Sequence, residues 1–149
     1  FLLNENLSVA WILILIAGLT DYFDGKIARI ANSETIFGAR MDPLADKILV
    51  SAPYIWIVQE NIIPTWAIWI IFSRELLVSG WRSNHYSGGS ASILGKLKTL
   101  LQFICILLLL WPENWGTSYM VEILRHFGYI IFWPSLLISI YSGYKYLKD

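Results

Sequence analysis

Long runs of apolar residues, separated by short polar joints, make up most of this chain. About 20 residues of helix cross the hydrocarbon layer of a membrane, and the apolar runs are close to that length. The pattern therefore predicts five membrane-spanning helices and an all-α, polytopic helix bundle. The predicted segments are Leu7–Ala31, Pro43–Val58, Pro64–Trp81, Leu94–Trp111 and Phe127–Leu147. The second is short for a span unless the stretch Arg40–Lys47 belongs to the same helix.

The composition of the 149 residues agrees with this pattern, since 56% are hydrophobic and 15% are charged. The mean hydropathy is +0.56, which is typical of a membrane protein and not of a soluble core. The net charge of zero gives no information about acidic partners, and we expect no nucleic-acid partner. The single cysteine, Cys105, lies in an apolar run. We interpret it as a buried small hydrophobe and expect neither a disulfide nor a cysteine metal site.

The basic residues predict the orientation of the helices. If the five segments alternate in direction, ten of the 11 lysines and arginines fall on one side of the membrane and only Arg125 on the other. Such an excess marks the cytoplasmic side, so we expect an integral protein of the inner (cell) membrane. The N-terminus of the chain is then outside, which requires a further helix before Phe1. We therefore expect this sequence to be truncated at its N-terminus.

Four aspartates lie between residues 21 and 46 of this otherwise apolar chain. An ionised group at membrane depth costs about 2.5–3.5 kcal/mol, and no run of basic residues neutralises the four, so we expect a cation to complete the site. Two sets of positions each share one face of a helix. They are Asp21, Asp24, Gly25 and Ala28, with Arg29 close by, and then Gly38, Asp42 and Asp46. Two helices can therefore face each other across a polar pocket that the orientation above opens to the cytoplasm.

The residue types indicate which cation and ligand this pocket takes. Carboxylates in an all-oxygen environment suit Mg²⁺ or Mn²⁺ rather than zinc, and two pairs can hold two ions about 3.5–4 Å apart. Gly25 and Gly38 leave room for a bulky polar ligand, and the forked guanidinium of Arg29 matches a phosphate. From a different class of protein, the cluster could be the path of a divalent-cation transporter. Arg29 argues against that alternative, because a cation path has no use for an arginine beside its ligands.

The pattern D-x₂-D-G-x₂-A-R-x₈-G-x₃-D-x₃-D, from Asp21 to Asp46, resembles without a gap the signature of the CDP-alcohol phosphatidyltransferase family. The resemblance implies a six-helix integral membrane enzyme, a homodimer, that displaces CMP from a CDP-linked lipid; the first helix is missing here. It implies two divalent ions held by four residues, of which the last is also the general base: Asp21, Asp24, Asp42 and Asp46. It also implies a CDP site formed by Asp21, Gly25, Ala28, Arg29 and Gly38.

Three further stretches resemble the members of this family that use CDP-diacylglycerol and glycerol 3-phosphate. They are Met41–Lys47, Ser73–Arg82 and Leu94–Gln102. The resemblance implies transfer of a phosphatidyl group to glycerol 3-phosphate, giving phosphatidylglycerophosphate and CMP in phospholipid biosynthesis. Another acceptor of the same family, such as inositol phosphate, serine or phosphatidylglycerol, remains an alternative. The joint Ser83–Ile93 does not align, and the chain from Pro112 onward matches only as an apolar helix.

An anionic acceptor needs cations, and four collect at the predicted cytoplasmic ends of the third and fourth segments. We predict that they bind the acceptor phosphate: Arg74, Arg82, Lys96 and Lys98. For Arg82 and Lys98 the alternative is a side chain that extends to lipid headgroups. Arg74 differs, because apolar residues flank it and Glu75 is adjacent. Buried pairing or substrate contact is expected there.

Overall fold

The computed structural model describes residues 6–31, 50–84 and 93–148, without the side chains of 21–31, 81–84, 93–94, 96 and 146–148. All regular secondary structure in these ranges is helical, as predicted. Helix α2 is described from residue 50 to 59, and a 3-10 turn, Glu113–Trp115, precedes the last helix. The remaining helices are α1 (Leu7–Ala31), α3 (Thr65–Asn84), α4 (Ile93–Leu109) and α5 (Ser118–Lys148).

Most helix bounds lie close to the predicted ones, but α5 begins nine residues before the predicted Phe127. The polar residues that precede Phe127 suggested a joint, whereas in the structure they lie on the exposed side of a continuing helix whose other side buries Val121. The backbone N–H of Met120 donates to Thr117 Oγ1 at 3.3 Å. Thr117 is thus the N-terminal cap, and satisfying this N–H favours the earlier start.

A tight turn joins α2 to α3 and makes them antiparallel. Asn61 adopts a φ of 56°, a left-handed conformation that asparagine tolerates better than most residues, and the N–H of Ile62 donates to the carbonyl of Ile57 at 3.1 Å. This pattern satisfies carbonyls at the C-terminus of a helix. Pro64 then precedes α3, where its missing N–H is not needed.

The core lies between α2, α3, α4 and α5, and α4 packs most extensively against α5. Gly128 permits the close approach of these two helices, because a Cβ added there would lie 3.0 Å from Leu108 and Leu109. Small residues let helix backbones approach in membranes. Cys105 is buried at this contact, and its Sγ donates to the Gly128 carbonyl at 3.3 Å.

Among the described residues, one helix is long and apolar enough to cross a membrane, over Ser118–Lys145. Shorter apolar helices run over Leu7–Thr20 and Leu97–Leu109. Ionisable residues lie inside α1 and α3 rather than in joints. The described parts of the five predicted spans are helical, whereas the start of the second span at Pro43 lies outside the described residues. Among the described residues, only α5 meets the criterion by length and composition. The count of six helices stays a prediction.

Candidate active site

The first half of the aspartate motif lies on α1. The helix runs unbroken through Ala31, so Asp21, Asp24, Gly25 and Ala28 share one helical face, as their spacing predicts. Their side chains, and that of Arg29, are not described. Gly38, Asp42 and Asp46 lie outside the described residues, so the pocket between two helices stays a prediction. Among the side chains that the structure does describe, no group of three or more His, Cys, Asp or Glu could hold a metal ion.

Contacts with α4 position the motif-bearing part of α1. Trp11 Nε1 donates to the carbonyl of Leu107 at 2.8 Å. Further along both helices, a Cβ added at Gly18 would overlap the ring of Phe103. The two helices therefore run antiparallel in close contact up to the turn before Asp21. We call the end at which α1 and α3 finish and α4 begins the motif end of the bundle.

A buried ionic cluster joins α3 to α4, and we call it the Glu75 cluster: Arg74, Glu75 and Lys98. Arg74 Nη1 donates to Glu75 Oε1 at 2.9 Å, and Lys98 Nζ donates to the same oxygen. The exposed fractions of the three side chains are 12%, 21% and 6%. Two cations thus share one carboxylate oxygen inside the protein. An ionisable cluster within a membrane helix is a candidate functional site by default.

Arg74 also fixes α3 to α5. Its Nε donates to the carbonyl of Ser139 at 3.0 Å, and its Nη2 donates to Ser142 Oγ at 2.9 Å. Gly143 accommodates the side chain, because a Cβ there would lie 2.9 Å from Arg74 Cγ. These bonds and the bond to Glu75 use three of the five N–H donors of the guanidinium. The other two donors of the fork have no partner among the described residues.

Other buried polar atoms lie around this cluster. Gln102 follows Lys98 by one turn of α4, and its Nε2 has no hydrogen-bond partner among the described residues. The backbone carbonyl of Ser139 accepts a hydrogen bond from Arg74. The hydroxyl of Ser139 is buried and has no hydrogen-bond partner among the described residues. Buried polar groups are nearly always hydrogen-bonded, often through water. The interior next to the Glu75 cluster is therefore suited to polar ligands or water.

The structure brings two of the four predicted acceptor cations together, Arg74 and Lys98, through Glu75. Arg82 and Lys96 lie on α3 and α4, and their side chains are not described. Sequence reasoning treated Glu75 only as a neighbour of Arg74. It missed the serines of α5, which fall on one helical face and are almost fully buried: Ser135, Ser139 and Ser142. Their spacing of four and three residues in an apolar helix was the available signal.

A second ion pair lies at the opposite end of the bundle. Arg125 Nη1 donates to Glu113 Oε1 at 3.1 Å, and Arg125 Nη2 donates to the carbonyl of Trp111 at 3.2 Å. The Glu113 side chain is 76% exposed. The pair borders an open cleft of about 460 Å³ whose lining also includes Glu122 and His126.

Helices in all described ranges and the eight-position aspartate motif of the sequence agree with one class of membrane protein. The model of the CDP-alcohol phosphatidyltransferase family matches residues 1–141, and the chain belongs to this family. Membership removes the alternative of a divalent-cation transporter.

Three relatives of the chain carry the same enzyme name. The chain is 38% identical to the CDP-diacylglycerol–glycerol-3-phosphate 3-phosphatidyltransferase of Bacillus subtilis (strain 168), over 97% of this chain and 77% of the relative. It is 35% identical to the enzyme of that name from Rickettsia typhi, over 99% and 84%. It is 30% identical to the one from Shigella flexneri serotype 5b, over 99% and 85%.

Proposed function

We propose that this chain transfers the phosphatidyl group of CDP-diacylglycerol to glycerol 3-phosphate, releasing CMP and forming phosphatidylglycerophosphate. The observation that carries the proposal is the similarity, over 97% or more of the chain, to relatives that bear this activity in their names. Two cations that converge in the described structure, Arg74 and Lys98, support an anionic acceptor, because charge-assisted hydrogen bonds to a phosphate need such donors.

We propose that the aspartate motif holds two Mg²⁺ or Mn²⁺ ions through Asp21, Asp24, Asp42 and Asp46. The donor set fits, because carboxylate oxygens are the ligands that these ions prefer, and because the continuous α1 backbone puts Asp21 and Asp24 within one turn. When bound, the ions would neutralise the diphosphate and stabilise the oxygen that leaves with CMP.

The remaining motif residues act on the two substrates. Asp46 accepts the proton of the acceptor hydroxyl as that oxygen attacks the phosphorus of the phosphatidyl group. The positions without large side chains let the cytidine diphosphate approach the helix backbones, and Arg29 donates to a phosphate. The CDP site consists of Asp21, Gly25, Ala28, Arg29 and Gly38.

We assign the acceptor phosphate to Arg74, Arg82, Lys96 and Lys98. The support is that Arg74 and Lys98 converge in the described structure, and that Arg82 and Lys96 lie further toward the motif end on the same helices. Arg74 presents two oriented donors, and lysine supplies a mobile point charge.

We propose that residues 1–149 belong to a single transmembrane domain of the six-helix type. The domain belongs to a homodimer in the inner (cell) membrane with the active site facing the cytoplasm. The long apolar α5 supports the membrane location. The excess of basic residues on the motif side supports the orientation.

An acceptor competition tests the proposed function. The purified chain is given CDP-diacylglycerol, Mg²⁺ and an equimolar mixture of glycerol 3-phosphate, serine, inositol phosphate and phosphatidylglycerol, and the lipid products are identified by mass. We expect phosphatidylglycerophosphate as the main product. A main product with serine or inositol phosphate would reject the acceptor and keep the transferase class, and absence of any CMP-coupled product would reject both.

A further inference from the structure

Three buried polar atoms on three different helices have no hydrogen-bond partner among the described residues. They are the hydroxyl of Tyr54 on α2, Nε2 of Gln102 on α4 and the hydroxyl of Ser139 on α5. The three residues are 1%, 6% and 0% exposed. A buried polar group without a partner is costly, and ordered water commonly binds such groups inside proteins.

Helices α4 and α5 bring two of these atoms to the Glu75 cluster. Gln102 follows Lys98 by four residues and so shares the face of α4 from which Lys98 reaches Glu75. The carbonyl of Ser139 accepts a hydrogen bond from Arg74 Nε at 3.0 Å, which places Ser139 beside the same cluster on α5. The amide of Gln102 and the hydroxyl of Ser139 therefore lie next to one group of ionised side chains.

Tyr54 closes the same region from α2. Its ring packs edge-on against Phe72 of α3, with the ring centroids 5.8 Å apart. Its phenol is close enough to Glu75 and to Cys105 for an electrostatic interaction with each. Because Cys105 follows Gln102 by three residues on one face of α4, the Tyr54 hydroxyl lies near the part of α4 that carries the Gln102 amide.

We propose that Tyr54 Oη, Gln102 Nε2 and Ser139 Oγ bind internal water between α2, α4 and α5, beside the Glu75 cluster. The donor set fits, since the amide donates, both hydroxyls can donate and accept, and an internal water typically makes about three hydrogen bonds. The ligand is water rather than a larger polar molecule, because the protein encloses all three atoms. The water gives the ionised groups of the bundle a polar surrounding, a role that goes beyond the proposed function and does not depend on it.

Radiolytic hydroxyl-radical labelling of the detergent-solubilised full chain tests for this water directly. X-rays convert a bound water into a hydroxyl radical in place, and the radical oxidises the adjacent side chain even where that side chain is buried. We expect Tyr54 to be labelled, as measured by mass spectrometry of its peptide. Phe132 is the matched control, because it is an equally buried aromatic residue of the core without a polar side-chain atom. Labelling of Tyr54 that does not exceed that of Phe132 would overturn the proposal.

A double-mutant cycle tests whether Tyr54 and Ser139 share the water. Tyr54→Phe and Ser139→Ala each remove one hydroxyl and add no atom in its place. Each should lower the melting temperature by about 2–4 °C, the shift that one lost hydrogen bond gives in a chain of this length. Removing a hydroxyl that has no partner would instead leave the melting temperature unchanged or raise it. Because the described structure has no direct hydrogen bond between the two hydroxyls, we expect a non-additive loss in the double variant, carried by the shared water.

Ser135→Ala is the matched control for the cycle. Ser135 is as fully buried as Ser139 on the same helix, but its hydroxyl donates to the carbonyl of Phe132 at 2.7 Å. Its loss should add to that of Tyr54→Phe without coupling. Additive losses for Tyr54→Phe and Ser139→Ala, or a melting temperature that falls in neither, would overturn the proposal. Neither measurement uses turnover, so a failure of the proposed transferase leaves this outcome unaffected.

Discussion

Two arginine–glutamate pairs lie at different ends of this bundle, and their geometry is almost the same. Arg74 Nη1 lies 2.9 Å from Glu75 Oε1, and Arg125 Nη1 lies 3.1 Å from Glu113 Oε1. Their surroundings differ, because the Glu75 side chain is 21% exposed and that of Glu113 is 76% exposed. Only the first carboxylate also binds a buried lysine.

The comparison shows that burial, and not the distance between the charges, distinguishes a candidate site from a surface contact. An exposed ion pair contributes about 0–1 kcal/mol to folding stability, because water solvates either charge when its partner is removed. A buried cation is retained only with partners, and the described partners of Arg74 and Lys98 come from α3 and α5. Arg74, Glu75 and Lys98 therefore form a connected polar cluster that joins α3, α4 and α5.

The largest effect is expected at the motif itself. Asp21→Asn or Asp42→Asn removes a proposed metal ligand's charge and keeps its shape, so Mg²⁺-dependent turnover should fall by orders of magnitude while the melting temperature changes little. Turnover and melting are measured on the same preparation, with Glu113→Gln as the control from the other end. Near-normal turnover with Asn at either position would reject the two-metal proposal.

Asp46→Asn tests the proposed base. The variant should lose turnover and still bind CDP-diacylglycerol, because the amide cannot accept a proton at neutral pH. Equilibrium binding of the nucleotide lipid is compared with the rate of CMP release. Nucleotide binding that falls in proportion to the rate would show that Asp46 acts as a ligand only, and another base would be needed.

Replacing one of the cations proposed to bind the acceptor phosphate should have a smaller effect on activity than the aspartate changes. Arg74→Gln or Lys96→Gln should raise the apparent Michaelis constant for glycerol 3-phosphate about ten- to a hundredfold, the value of one hydrogen bond to a charged group. The constant for CDP-diacylglycerol should stay nearly unchanged. Arg125→Gln is the matched control, since its guanidinium has a comparable glutamate partner far from the motif end. Equal weakening of both substrates would assign these cations to the CDP site or to the fold.

Replacing the glutamate of each pair should change the stability of the protein by different amounts. Glu75→Gln removes the carboxylate that Arg74 and Lys98 share and should cost about 3–5 kcal/mol of unfolding free energy, whereas Glu113→Gln should cost at most about 1 kcal/mol. Both are measured by chemical unfolding in the same detergent without phosphate. Similar losses in the two variants would contradict the distinction drawn from burial.

Helix α1 shows how much of the fold follows from the chain alone. Its bounds, Leu7–Ala31, were predicted from the apolar run and its polar end, since local pattern decides a long helix. The start of α5 at Ser118 was not predicted, because polar residues on an exposed helical face resemble a joint until the partner helix is known.

The candidate site likewise has one part that the sequence predicts and one part that depends on how the helices pack. The adjacency of Arg74 and Glu75 is visible in the sequence, where buried pairing or substrate contact was expected for Arg74. The bonds of Arg74 to Ser139 and Ser142 depend on how α3 packs against α5, which no local pattern encodes. The metal and CDP residues rest on the motif and stay proposals.

The most direct test of the proposed transferase is CMP release from CDP-diacylglycerol by the purified chain, measured with glycerol 3-phosphate and Mg²⁺ each present or absent. The account predicts release only when both are present, with one phosphatidylglycerophosphate formed for each CMP. CMP release that is independent of glycerol 3-phosphate, or that continues after the divalent ions are chelated, would contradict it.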